Sequence, residues 1–354
     1  MQGLDLPFAL TPCPYPITPM RLLRYLILCV ALVLWSAGLS TTVLHWLFNL
    51  GVIGDDYRFG DLYRLSALPQ FKVAQPVCES PNRSSDTDST HLYLIGDSFS
   101  EPQRLNQSDF RVSHYQRVGW DHSQPIQLDP SKQNVLLIES VERHVREHFT
   151  RSVNEFVVVA DTNRTRRQLP SLGEQIKNDF HRTDVEERLE SALFSQNWAL
   201  WLKETKARLT LNWFGRAYTS VSLSNDRQHV FLHSDTDTTK AKVLNSSFSP
   251  LTDTDVDKLV EGINNAADHY RSQGFSEVFL SMIPNKASIL EPDRGAYNHL
   301  IERIQVNPNL RVPVVNTYDA FRKKSATVYL KSDTHWSCEG RDTWLNLVYQ
   351  TLHI

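Results

Sequence analysis

From Tyr25 to Phe48 the chain carries no Asp, Glu, Lys or Arg, and no other feature restricts its folding as strongly. As a helix this run would measure roughly 36 Å, enough for the ~30 Å hydrocarbon core of a bilayer. Arg21 and Arg24 precede it, and Asp55 and Asp56 follow it. The positive charge ahead of the run orients it, with residues 1–20 as a cytoplasmic tail and everything after about residue 50 across the membrane. Position and flanks make a buried core helix a poor alternative. A cleaved signal peptide is the nearer rival, because Ser36-Ala37-Gly38 offers small residues for a cut. Apolar character resumes at Val43-Leu44-His45-Trp46-Leu47-Phe48, which favours a retained anchor over residues 21–50, with residues 25–48 in the membrane.

The remainder has the composition of an ordinary folded protein, 41% hydrophobic and 22% charged, and its 354 residues can bury a large core. A net charge of −3 lacks the basic excess of a nucleic-acid binder, so no nucleic-acid partner is expected. Of the four cysteines, Cys13 falls in the tail and Cys29 in the span, leaving Cys78 and Cys338 in the exported part. In an oxidising compartment those two can form one disulfide; two free buried thiols are the alternative.

Residues 51–90 read as a juxtamembrane segment followed by a Pro-, Ser- and Asp-rich linker. Short apolar runs then predict strands at 91–95, 112–120, 134–139, 156–160, 276–283 and 312–315. Helical patterns fall at 184–214, 253–273, 297–304 and 341–352, and Gly274 supplies a stop for the second. This alternation predicts an α/β fold with a mostly parallel sheet over residues 91–354. The interval at about 151–250 exceeds a minimal repeat and reads as an elaboration on the sheet's rim, with a hairpin near Ser224-Asn225-Asp226.

Two strings carry chemistry. Ser98, in Ile-Gly-Asp-Ser-Phe, directly follows the first strand, where open α/β sheets place their reactive crevice. Near the C-terminus, Asp333 and His335 stand two apart in Ser-Asp-Thr-His-Trp. A carboxylate so close can hold an imidazole in one tautomer and stabilise its charged form, leaving the other ring nitrogen to deprotonate a hydroxyl. Each string alone is weak, since most Gly-Asp-Ser tripeptides are turns and most Asp-x-His pairs are surface loops. Together they predict a nucleophile, Ser98, served by His335 and Asp333. His144 and His148 have metal-pair spacing, but no acidic third ligand is evident, and a solvated helix face is the better reading. Neither metal nor cofactor is expected; no phosphate-binding loop or dinucleotide fingerprint occurs.

Gly-Asp-Ser-Phe with a late Asp-x-His resembles the SGNH/GDSL hydrolase superfamily, and Asp-Thr-His-Trp is similar to its alginate O-acetyltransferase branch. Val135-Leu136-Leu137-Ile138-Glu139-Ser140-Val141-Glu142-Arg143 and Ile283-Pro284-Asn285-Lys286 extend that likeness, which covers about residues 90–352. The resemblance implies a three-layer α/β/α domain preceded by one transmembrane helix. The chain departs from the family in three ways. Ser98 precedes His335, whereas the alginate enzymes have the reverse order; Asp-x-x-His is shortened to Asp-x-His; and the Gly-x-Asn-Asp block is replaced by Glu139 to Arg143. The family's oxyanion Asn is therefore missing.

Arg143 is the candidate substitute, with a salt bridge to Glu142 or Glu139 as its other reading. Gly119 offers a second backbone donor or is an ordinary turn glycine. Asn285 and Lys286 are placed to contact substrate or to hold a loop, and Trp336 to stack on a sugar ring or pack against the last helix. The resemblance implies an O-acetyltransferase acting through acyl-Ser98 on an exported polysaccharide, its acyl donor delivered by a membrane-bound O-acyltransferase. It also implies a single-pass protein of a bacterial inner membrane with its catalytic domain on the periplasmic side. An esterase of the same fold and a non-catalytic glycan-binding subunit are the alternatives.

Overall fold

A computed structural model describes residues 19–54, 58–79, 89–120, 122–159, 185–239 and 243–354. Most of the expected tail, Cys13, Asp55, Asp56, much of the linker and the middle of the 151–250 elaboration lie outside the described residues. The chain forms two compact units: residues 1–56 with 167–200, and residues 57–166 with 201–354. Thus part of the interval expected on the sheet's rim belongs with the N-terminus.

In the first unit, α1 (Pro19–Leu39) is long and apolar enough to cross a membrane, with a mean hydropathy of 2.1. The uncharged run is not one helix. It breaks at Ser40, whose extended backbone and side chain cap α2 (Thr41–Asn49) by accepting from the Val43 amide. The membrane-long stretch therefore lies at 19–39, not 25–48. Later in the chain α5 (Val185–Phe194) returns to this unit, where Arg188 donates to the Gly38 carbonyl at 2.9 Å and Ala192 is buried with Ala37, Leu44 and Leu47.

The second unit opens with α3 (Asp61–Ser66), so the segment expected to be juxtamembrane is part of the folded body. Five parallel strands follow: β1 (Thr90–Gly96), β2 (His114–Gly119), β4 (Gln133–Val141), β8 (Glu277–Ile283) and β9 (Val314–Val315), in the spatial order β2-β1-β4-β8-β9. Leu92, Leu94, Val135 and Leu137 are buried, and so are the residues alternating with them, Tyr93, Ile95, Leu136 and Ile138. Burial on both faces explains why these strands read as unbroken apolar runs instead of alternating. The expected strand at 156–160 is β5 (Phe156–Val158), which leaves the main sheet and pairs with β3 (Gln124–Ile126).

Between and after the strands come α4 (Glu142–His148), α6 (Asn197–Phe214) and the antiparallel pair β6 (Val221–Leu223) and β7 (Val230–Leu232), joined near Ser224 as the sequence suggests. The short α7 (His233–Thr236) leads to α8 (Asp253–Ser272). A capping box between Thr252 and Asp255 starts α8, and Gly274, at φ +110°, ends it in a conformation few side chains tolerate. The remaining helices are α9 (Lys286–Leu290), α10 (Leu300–Gln305), α11 (Thr317–Lys323) and α12 (Cys338–Leu352). Cys338, first residue of α12, is bonded to Cys78 across a Cα separation of 5.2 Å. The arrangement is mixed α/β with a parallel central sheet and an apolar N-terminal helix.

Candidate active site

Ser98 opens a single 3₁₀ turn at the carboxyl end of β1. The turn fits because Gly96 has no side chain: a Cβ there would collide with the Ser100 hydroxyl and lie 2.6 Å from Glu139 Oε2. Asp97 then ties β1 to β4 by donating its amide to Glu139 Oε2 at 2.8 Å and accepting the Val141 amide on Oδ2 at 2.8 Å. With its neighbours fixed, half-buried Ser98 presents its Oγ 2.8 Å from His335 Nε2.

His335 is buried in the segment before α12, its ring 4.8 Å from that of Phe99. Its Nδ1 meets Asp333 Oδ1 at 2.5 Å, and Asp333 Oδ1 also accepts the His335 amide at 2.8 Å. This places the ring proton on Nδ1 and leaves Nε2 to accept from the serine. Burial alone would raise the Asp333 carboxyl, but the hydrogen bond and charge of His335, joined by Arg104, hold it well below the usual range. No family model, characterised protein or solved structure matches the chain. The site therefore stands on its own geometry.

Three supports escaped the sequence reading. The Asp61 amide and the Gln75 side chain both donate to Asp333 Oδ2, the former at 3.2 Å. The Asp61 carboxylate in turn accepts the Thr334 amide at 2.8 Å and the Thr334 hydroxyl at 2.5 Å. Arg104 brings a guanidinium nitrogen to 3.0 Å from His335 Nδ1. Because the Nδ1 proton goes to Asp333, the guanidinium acts through its charge, which helps to hold the Asp333 carboxyl down. No local motif announces Asp61, Gln75 or Arg104. Lys286, singled out beside Asn285, proves to hold the loop: its buried Nζ donates to the carbonyls of Val230, Leu330, Lys331 and Asp333 at 2.5–3.1 Å. Burial lowers its pKa to about 7, while the four carbonyls call for the protonated form.

A cleft of about 410 Å³ opens beside the serine, lined by Ser98, Glu101, Arg117, Gly119, Trp120, His122, His144 and Glu147 among others. Gly119 thus reaches the same cleft as Ser98, its strand paired so that Gly119 lies beside Gly96. Arg143 is not among the lining residues. Its guanidinium pairs with neither Glu142 nor Glu139 but with Asp235 at 3.5 Å, both side chains being buried. A buried carboxylate needs a counter-charge, and Asp235 claims this one in place of an oxyanion role. Asn285 is likewise occupied: its amide donates to Glu142, its Nδ2 to Ser247, and its Oδ1 accepts from the Arg143 amide. Trp336 is 4% exposed and packs on Phe99 and Trp344, so it stacks on protein and not on an incoming ring.

His144 and His148 do find an acidic companion. Asp97 Oδ1 lies 3.0 Å from His144 Nδ1, and the three residues bring ligand-type atoms within 4.8 Å of one another. Asp97 Oδ2 also accepts from the Val141 amide, and His148 Nδ1 meets the Ser140 hydroxyl at 2.8 Å, which ties the three residues into one polar network. Burial would raise Asp97, but His144 and then the charge of His148 hold it down. Glu139, fully buried and facing Asp97, goes the other way: burial first and the Asp97 charge second push it up to about 8. Burial thus favours the protonated carboxyl beneath the Ser98 turn.

Proposed function

We propose that this chain is a membrane-anchored O-acetyltransferase that modifies an exported polysaccharide through an acyl-Ser98 intermediate. The observation that carries the reading is the hydrogen-bonded run Ser98–His335–Asp333, assembled from residues more than two hundred positions apart. Ser98 Oγ attacks the acyl carbonyl while its proton passes to His335 Nε2, and Asp333 stabilises the imidazolium. The intermediate collapses, the donor's leaving group takes that proton, and acyl-Ser98 remains. A sugar hydroxyl then gives its proton to Nε2 and attacks the ester, and Ser98 leaves with the proton restored. Gly119, which lines the same cleft, is the candidate backbone donor to the oxyanion.

The apolar helix α1 and the Cys78–Cys338 disulfide support a catalytic domain outside the cytoplasm, where such bonds persist. Purified protein given an acyl-ester chromogen should turn over, and Ser98→Ala and His335→Ala should each abolish the activity. Failure to trap any acyl group on Ser98 would sink the reading. Adding an oligosaccharide acceptor and weighing the products separates transfer from hydrolysis: acylated sugar supports the transferase, and free acid despite excess acceptor identifies an esterase.

A further inference from the structure

Helix α6 has two apolar faces, and among the described residues only one of them is covered. Ala207 and Leu211 pack on the cluster of Leu62, Leu68 and Phe71. At 3.6 residues per turn, Trp201, Leu202, Leu209 and Trp213 form a stripe on the opposite side. That stripe faces water: Trp201 is 62% exposed, Leu209 40% and Trp213 73%. Such a patch of large side chains on a soluble surface calls for an occupant.

Charge and connectivity name the occupant. Exposed Lys206 and Arg208 border the stripe on either side, and Arg216 follows it. The one acid of the helix, Glu204, is turned inward, accepting from Tyr63 at 2.5 Å and Lys72 at 2.7 Å. An apolar stripe rich in Trp, edged by cations and free of anions, matches the boundary between acyl chains and anionic headgroups. The first residues of α6, through Leu200, belong to the compact unit that carries the membrane-long helix. Arg188 of α5 binds the Gly38 carbonyl at the end of α1, and α6 begins three residues after α5 ends. We propose that the outward face of α6 lies on the surface of an anionic bilayer. This is independent of the acyl chemistry, since it draws on no residue of the Ser98 site.

The test uses the full chain reconstituted in phosphatidylcholine vesicles containing phosphatidylglycerol. An environment-sensitive fluorophore is placed at Leu209→Cys, and separately at exposed Thr254→Cys, with Cys13 and Cys29 replaced by Ser. The Leu209 probe should emit to the blue of the Thr254 probe, be quenched by spin-labelled lipid, and show roughly threefold less quenching by aqueous iodide. Lowering the phosphatidylglycerol content should weaken these differences, because the flanking cations lose their partners. Equal iodide quenching at both positions would overturn the proposal. So would shielding of the Leu209 probe in lipid-free detergent that grows with protein concentration, since a second copy would then be the occupant. Folding of each variant is checked by its far-UV spectrum and intact Cys78–Cys338 bond, and Ala207→Cys, on the covered face, serves as a second comparison that spin-labelled lipid should leave unquenched.

Discussion

Asp333 receives donors from three separated parts of the chain: His335 beside it, Asp61 on α3, and Gln75 just ahead of the disulfide. Replacing it by Asn keeps the shape and removes the charge, so His335 loses its fixed tautomer. Asp333→Asn should reduce turnover about 10³–10⁴-fold in steady-state kinetics with the chromogenic ester. Glu139 gives a prediction about stability and pH. Its folded value, about 8, lies above the ordinary 4.5, so over that interval the unfolded chain releases a proton that the folded chain retains. Stability contributed by the protonated group is therefore lost as pH rises, and Glu139→Gln should escape this loss. The variant's unfolding midpoint in urea should gain on the wild type from pH 5 to pH 9. Ser98, Asp333 and His335 were legible because each sits in a short string whose spacing is itself chemical. Asp61, Gln75 and Arg104 were not, because they meet the site across 272, 258 and 231 residues. Nothing in a local window encodes such a meeting.

Among the elements, the central strands could be read because burial on both faces leaves continuous apolar runs, as in Val135 to Ile138. The same pattern misplaced β5, since a short apolar run shows that a strand is buried but not which sheet receives it. The break at Ser40 was hidden in a similar way. Ser and Thr in an uncharged run leave hydropathy high, yet a serine can cap a new helix. The disulfide joins the segment carrying Asp61 and Gln75 to the first residue of α12. Closing a loop of that span removes about 5 kcal/mol of unfolded-chain entropy. Cys78→Ser with Cys338→Ser should lower the urea midpoint markedly. It should also reduce turnover, because the donors to Asp333 Oδ2 lose their tether; dithiothreitol should reproduce both effects in the wild type.

At the scale of the whole molecule, the two units share one chain twice over, since residues 167–200 return to the N-terminal unit. A chain shortened to begin at residue 58 would keep α5 but lose α1 and α2, leaving Ala192 and its neighbours without their apolar cover. Such a truncation should bind a hydrophobic dye and elute as aggregates in size-exclusion chromatography, whereas the full chain in detergent should not. The spacing of the Ser98 site also has a meaning in time. Translation makes Ser98 237 residues before His335, and the second cysteine comes later still. A chain cut short anywhere in that interval holds a serine with nothing to deprotonate it. Under the proposed acyl chemistry, reactivity thus arrives only once His335 has been made, and a copy that stops short of it is inert.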